Sequence, residues 1–184
     1  MIEVENKLLN SKKPLFFQVK NAKDIGVKTP KVVLGEDLRT VVRSLTVFQK
    51  EALITSARTG TTWRLASDEG VYLNGTDYAP APLCHLTVGM VASYMNEITA
   101  LAKLRNISIK NIRLIQDNFY SMKGSMMKGD MIAHAYDVEL EAQIDAEASK
   151  ETLQQLVIDA TAASPLNDLM KRPHESLFKL SHNN

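Results

Sequence analysis

The feature that most constrains the fold is a long uncharged stretch in the middle of the chain. No Asp, Glu, Lys or Arg occurs between Asp77 and Glu97. Apolar residues in and just after this stretch recur at the spacing of one helix: Leu83, Leu86, Met90, Val91, Met95, Ile98 and Ala102. Pro82 suits the first position of that helix, where a missing N–H costs nothing. The pattern predicts a core helix buried nearly all round, and the charge at Glu97 argues against a membrane span.

The overall charge excludes two classes of partner. The 184 residues carry 22 basic and 21 acidic side chains, so a net charge of +1 offers no electrostatic surface for nucleic acid or an anionic membrane. We expect a partner that is small or uncharged. A single cysteine excludes an internal disulfide framework. The four histidines show no metal-ligand spacing, so no metal or cofactor is predicted. The first residues lack a secretion-signal pattern, which predicts a cytoplasmic protein.

The segments around the helix indicate an α+β fold. Alternation on both sides of Arg58-Thr-Gly60 predicts a β-hairpin. Further strands are predicted at residues 15–19, 109–116, 134–144 and 176–180, helices from about Ser149 and after Ser164, and a Gly- and Met-rich loop at 121–130. His134 falls on the inward face of its strand. The segment 36–45 fits helix and strand equally well.

The order of these elements predicts helices packed against antiparallel sheet. Residues 50–184 are expected to form the main domain. Residues 1–49 are expected to form an N-terminal extension that contributes one or more strands to it.

Four short motifs, in this order and spacing, resemble the OsmC and organic hydroperoxide resistance proteins over roughly residues 50 to 180. They are Ala57-Arg-Thr-Gly60, Ala66-Ser-Asp-Glu-Gly70, Pro82 opening a helix with Gly89 seven residues on, and Ala163-Ser-Pro165. The resemblance implies an OsmC-like α+β fold, with antiparallel sheets packed around a long buried central helix. It also implies an intertwined homodimer with its sites at the subunit interface.

The resemblance places the family's site residues on positions that have changed. The peroxidatic cysteine, eleven residues after the helix-opening proline, corresponds to Ser93, and the resolving cysteine corresponds to Ser164. The family's glutamate corresponds to Leu83, and its arginine corresponds to Arg58. A serine hydroxyl stays protonated near neutral pH and lacks the redox chemistry of sulfur. The resemblance therefore implies an oxidative-stress protein that has lost the two-cysteine peroxidase reaction.

Cys84 is the one remaining candidate nucleophile. It lies nine residues before Ser93, on roughly the opposite face of the predicted helix. Its place in the first turn, beside His85, favours a reactive thiol. A small buried apolar residue is the simpler interpretation. A Cys84–His85 catalytic pair is not favoured, because adjacent helical residues diverge by about 100°.

The other candidate residues also have simple structural interpretations. Ser164 fits a helix N-cap, and Ser93 fits a hydroxyl bonded back to a carbonyl one turn earlier. Arg58 fits either a polar ligand head or a surface turn. The methionines of the 121–130 loop fit an apolar ligand surface or, more simply, loop filler.

Three functions remain open on these grounds. The first, which we favour, is an OsmC-like protein without peroxidase activity that keeps a dimer-interface pocket for a small lipophilic molecule. The second is an organic hydroperoxide reductase that uses Cys84 and an external thiol. The third is a dimeric interaction protein.

Overall fold

The computed structural model describes residues 5–20 and 28–181. The chain divides into two compact units, and the boundary along the sequence lies between His85 and Leu86. The first unit contains α1 (Lys7–Ser11), β1 (Phe16–Gln18), β2 (Leu38–Ser44), β3 (Lys50–Ser56), β4 (Thr62–Ser67) and a 3₁₀ turn (Val71–Leu73). Its strands form one antiparallel sheet in the order β1-β4-β3-β2. Two of these four strands therefore come from the part of the chain before residue 50.

The predicted hairpin is present as β3 and β4. Thr55 pairs with Thr62 across it, and their buried hydroxyls lie 2.8 Å apart. Gly60 closes the turn at a φ of +67°, a conformation that suits glycine because it has no Cβ. The segment 36–45, whose pattern fits helix and strand equally well, contains the strand β2. The β-branched run at residues 40–42 favours this extended conformation.

A buried polar cluster fixes the segment that follows β4. The carboxylate of Asp68 is fully buried and accepts hydrogen bonds from the Thr76 hydroxyl, the Tyr78 N–H and the Gln49 amide. The side-chain oxygen of Gln49 accepts the N–H of Leu8, 3.0 Å away, and so attaches α1 to the same cluster. Asp68 belongs to one of the family-like motifs, and its role here is structural.

Asp68 should make stability fall in acid. Burial acts to raise its pKa, but the hydrogen bonds from Thr76, Glu69, Tyr78 and Gln49 outweigh burial and hold the pKa below its ordinary value. The stabilisation is therefore complete above the unfolded-state pKa of about 3.9 and is lost as the pH falls through the lower folded-state pKa.

Urea unfolding between neutral pH and about pH 3 measures this contribution. We expect the stability difference between wild type and Asp68→Asn to shrink below about pH 4. Asp77→Asn, an exposed position in the same loop, serves as the control. A difference between wild type and Asp68→Asn that is independent of pH would contradict the assignment.

The second unit contains most of α2 (Pro82–Leu104), whose first turn lies before the boundary. It continues with β5 (Ile109–Asp117), β6 (Tyr120–Lys123), a 3₁₀ turn (Met126–Lys128), β7 (Ile132–Ala135), β8 (Glu139–Ala146), α3 (Lys150–Ala163) and α4 (Pro165–Lys171). β5 pairs antiparallel with β8, and β6 pairs antiparallel with β7. The α+β class with antiparallel sheets is confirmed.

The core of this unit lies between α2, α3 and β5. Ile98 and Ala102 of α2 and Leu156 and Ala160 of α3 are fully buried, with β5 side chains such as Ile112 packed against them. α2 begins at Pro82, as predicted. In the single chain, however, its buried residues form one stripe: Met90, Tyr94, Ile98 and Ala102. Val88 is 69% exposed. The prediction that α2 is buried nearly all round is thus not confirmed, because packing within this unit covers only one face of the helix.

Four predictions about the second half of the chain need correction. The alternation at residues 134–144 belongs to two strands, because β7 pairs with β6 while β8 pairs with β5. Part of the predicted Gly- and Met-rich loop is the strand β6. His134 is exposed rather than inward, since every residue of β7 is exposed. Residues 176–180 form no strand with the described part of the chain.

Candidate functional site

Two hydroxyl groups meet between α2 and the start of α4. The Oγ atoms of Ser93 and Ser164 lie 2.8 Å apart, although 71 positions separate the residues in the sequence. Ser164 is buried and Ser93 half-buried. These are the two positions that the sequence resemblance assigns to the family cysteines. The sequence predicted that the Ser93 hydroxyl bonds to a carbonyl one turn earlier, whereas the partner found for it is the Ser164 hydroxyl.

Ser164 is held in place by its local sequence. Its backbone is extended, its Oγ accepts the N–H of Asn167, and Pro165 occupies the first turn of α4. The predicted N-cap is therefore confirmed, and a cap of this kind is worth about 1 kcal/mol. The N–H of Ser164 also donates to the carbonyl of Thr161, 3.3 Å away, at the end of α3. One residue thus ends one helix and begins the next.

Polar and apolar contacts continue the interface between α2 and α4. The Tyr94 hydroxyl donates to Asn167 Oδ1 at 3.3 Å. Burial raises the pKa of Tyr94, so its phenol stays protonated and keeps this donor at neutral pH. A Cβ at Gly89 would lie 3.6 Å from a methyl carbon of Leu166, which is ordinary contact. The sequence reading missed Tyr94 and Asn167, although Asn167 stands three residues after the predicted cap.

The hydroxyl pair lacks the groups that activate a serine. A nucleophilic serine needs a base such as His or a carboxylate within hydrogen-bond reach. In the described structure the hydroxyl groups of Ser93 and Ser164 bond to each other, and the Ser164 hydroxyl also accepts the Asn167 N–H. This arrangement can donate and accept hydrogen bonds, and within residues 5–20 and 28–181 no base is found hydrogen-bonded to either hydroxyl.

Cys84 differs from its simplest interpretation. The residue is exposed, so the prediction of a small buried side chain is wrong for this chain. Cys84 lies in the first turn of α2 and is not among the buried residues of that helix. The neighbouring His85 donates from Nε2 to the carbonyl of Ala66 on β4, at 3.1 Å. The hydrogen-bond partner found for the His85 ring is therefore the Ala66 carbonyl and not the Cys84 thiol.

Arg58 and Leu83 are the other two residues that the sequence resemblance assigned to family site positions. Arg58 lies in the β3–β4 turn and forms an exposed ion pair with Glu36, with Nε and Oε1 3.0 Å apart. This matches a surface turn residue. Leu83, in the first turn of α2, is about half exposed and carries no ionisable group. Both belong to the unit that ends at His85, whereas Ser93 and Ser164 belong to the other.

Two grooves occur in the second unit. One, of about 700 Å³, lies between β8 and α3 and is lined mainly by apolar residues. The other, of about 570 Å³, lies between the end of α2 and β5. Neither Ser93 nor Ser164 lines either groove.

Two further findings concern residues 5–20 and 28–181. No helix there combines the length and apolar character needed to cross a bilayer. No group of three or more His, Cys, Asp and Glu side chains there is arranged to hold a metal ion.

Solved structures identify the class of fold. Sequence comparison finds no matching protein-family model and no matching curated protein. An OsmC-like hydroperoxide resistance protein from Jannaschia is 16% identical with a TM-score of 0.53, covering 80% of this chain and 93% of its own. The organic hydroperoxide resistance protein OsmC of Legionella pneumophila is 17% identical with a TM-score of 0.51, covering 73% and 89%.

A third structure is of a Vibrio cholerae protein classed with organic hydroperoxide resistance, with captopril bound in one of its active sites. It is 16% identical with a TM-score of 0.52, covering 78% of this chain and 90% of its own. At these identities the similarity establishes the fold. The chain has the OsmC-like fold, and the resemblance inferred from the sequence motifs is confirmed at that level.

Proposed function

We propose that this chain is an OsmC-like protein in which a pair of hydroxyl groups stands where relatives carry two thiols. It does not run the two-cysteine peroxidase reaction, and it binds a small lipophilic molecule as a cytoplasmic homodimer. The observation that carries the proposal is the 2.8 Å contact between the Oγ atoms of Ser93 and Ser164. The sequence motifs assign these two positions to the family cysteines, and the fold brings them together.

The chemistry of the two groups explains the loss of activity. In the family's reaction a thiolate attacks the peroxide oxygen and becomes a sulfenic acid, which the second thiol converts to a disulfide. A serine hydroxyl forms neither product. Ser93 and Ser164 can therefore form hydrogen bonds, but they cannot reduce a peroxide as the two thiols of relatives do.

Ligand binding is supported by what the helix leaves uncovered. Val88 and Ala92, both exposed on α2, offer apolar surface two and six residues after the start of the second unit. An apolar surface with a few fixed polar groups is typical of small-molecule sites. The captopril complex of the Vibrio cholerae protein shows that a chain of this fold accepts a small organic molecule.

The dimer is supported by an uncovered apolar face on the first unit. Phe16 and Trp63 stack on one face of the sheet with ring centroids 5.0 Å apart. Leu38 and Val42 lie on the same face and are exposed. Contiguous apolar surface of this kind marks an interface. Light scattering of the purified chain measures the oligomeric state directly, and a monomer would contradict this part of the proposal.

The first test is consumption of an organic hydroperoxide in the presence of excess dithiol. We expect no turnover above the dithiol background, either for wild type or for Cys84→Ala. Turnover in the wild type that survives in Cys84→Ala would contradict the proposal, which expects no peroxidase activity. It would also exclude Cys84, the one cysteine of the chain, as the source of the turnover.

One observation favours a second function. Cys84 is exposed in the first turn of α2, where a reagent in solution can reach its thiol. A thiol in this position could attack a hydroperoxide and have its sulfenic acid reduced by an external thiol. Turnover in wild type that disappears in Cys84→Ala would establish this reductase in place of the first proposal.

A further inference from the structure

The C-terminal segment Glu175–Leu180 leaves its apolar side chains in water. Leu177, Phe178 and Leu180 are 95%, 94% and 91% exposed. The segment has no helix or strand and begins four residues after the end of α4 at Lys171. Three large apolar side chains so close together and so exposed mark an interaction site.

The groove between β8 and α3 in the same unit is open and apolar. Its walls are Leu140, Ala142, Ile144 and Ala146 of β8 and Leu153, Val157 and Ile158 of α3. Along β8 the burial alternates strictly: the even-numbered residues are partly buried and line this groove, and the odd-numbered residues are exposed, with Asp145 bordering the end of the groove. Asp145 and Lys150 place one charge of each sign at its end.

One edge of β8 is also unpaired in the described structure. β8 and β5 form a two-stranded sheet, so the other edge of β8 presents free N–H and C=O groups. An extended peptide can add to such an edge as a further strand, with alternate side chains entering a neighbouring pocket. Phe178 and Leu180 are two residues apart and would point to the same face.

We infer that the segment Glu175–Leu180 of a second copy of this chain binds as an antiparallel strand along β8 and fills the β8–α3 groove. Charge selects the register: Lys179 lies opposite Asp145, and Glu175 lies close to Lys150. Phe178 then enters the groove opposite the small Ala146. Leu180 enters opposite Ile144.

The occupant is a second copy because the chain's own segment lies exposed outside the groove. Two copies exchange these segments reciprocally, as two-fold symmetry requires. This inference builds on the proposed homodimer and names a segment that holds it together.

Disulfide trapping between single-cysteine chains tests the exchange. In a Cys84→Ser background, one chain carries Lys179→Cys and the other carries Asp145→Cys. Both positions are exposed, and Phe178 and Leu180 are kept. After mixing and mild oxidation, we expect a cross-linked pair of the two chains on a non-reducing gel.

Glu141→Cys is the matched control, because Glu141 faces outward on β8 four residues from Asp145, about 13 Å away. We expect on the order of tenfold less cross-linking at that position. Adding Phe178→Ser and Leu180→Ser to the Lys179→Cys chain should remove the cross-link at Asp145.

Equal cross-linking at both positions would overturn the register and the inference. So would an intrachain disulfide in the monomeric double variant Asp145→Cys/Lys179→Cys. Light scattering on the same samples separates the two levels: a dimer without the cross-link contradicts the exchanged segment alone, whereas a monomer contradicts the proposed homodimer as well.

Discussion

Replacing Ser93 and Ser164 together by cysteine should join α2 to the start of α4 through a disulfide. The two Oγ atoms are already 2.8 Å apart, and sulfur atoms at these positions need only a small adjustment to bond. The disulfide would close a loop of about 70 residues, which in the chain-entropy account stabilises the fold by about 4 kcal/mol. Thiol titration and urea unfolding of the oxidised and reduced forms, in a Cys84→Ala background, measure both effects.

The single variants provide the control. Ser93→Cys and Ser164→Cys alone should each keep one titratable thiol and show no oxidation-dependent gain in stability. If the double variant keeps two free thiols after mild oxidation, the two positions do not face each other in solution. The proposed function would then lose the observation on which it rests.

Arg64→Ala should destabilise the first unit by about 3–5 kcal/mol, because it leaves a shielded carboxylate without its buried partner. The side chain of Arg64 is 3% exposed and that of Glu51 is 11% exposed, with Nε and Oε1 3.1 Å apart. Arg64 also donates to the carbonyl of Pro14 at 2.6 Å and lies over the ring of Phe17. Its loss therefore releases β1 as well as Glu51, and urea unfolding followed by Trp63 fluorescence should report the change.

Arg43→Ala is the matched control because Arg43 binds the same carboxylate from the solvent side. Its side chain is 69% exposed, and an exposed ion pair contributes about 1 kcal/mol at most. Burial acts to raise the pKa of Glu51, but the bonds from Arg43 and Arg64 lower it further than burial raises it. Equal losses from the two variants would show that burial of Arg64 adds nothing to the pair.

The parts of the fold that depend on local signals could be predicted from the sequence. Pro82 and Ser164-Pro165 start helices because a fixed φ and a side-chain cap act within one turn. The β3–β4 hairpin follows from alternation around Gly60. In each case the physical cause lies within a few residues of its effect.

The errors concern interactions between distant segments. The alternation that runs through residues 134–144 is continuous, and only the choice of partner divides it into β7 and β8. The exposure of Cys84 and Val88 likewise depends on which faces of α2 other elements cover. Periodicity records that a face is apolar but not what covers it.

The candidate site also depends on a contact between distant segments, which local sequence signals do not predict. No periodicity or composition would pair Ser93 with Ser164, and only the spacing shared with a known family singled them out. The geometry then adds what spacing lacks, namely that the hydroxyls touch and that Asn167 completes the group. The buried cluster at Asp68 and the pair Arg64–Glu51 were not predicted, since a charged residue in a strand is more often exposed.

The contact between the two hydroxyl groups makes this part of the molecule insensitive to the reduction potential of its surroundings. A pair of thiols has two covalent forms, and the surrounding reduction potential decides which is present. The pair at Ser93 and Ser164 has a single form at every potential found in a cell. The two hydroxyl groups therefore present the same atoms before, during and after exposure to an oxidant.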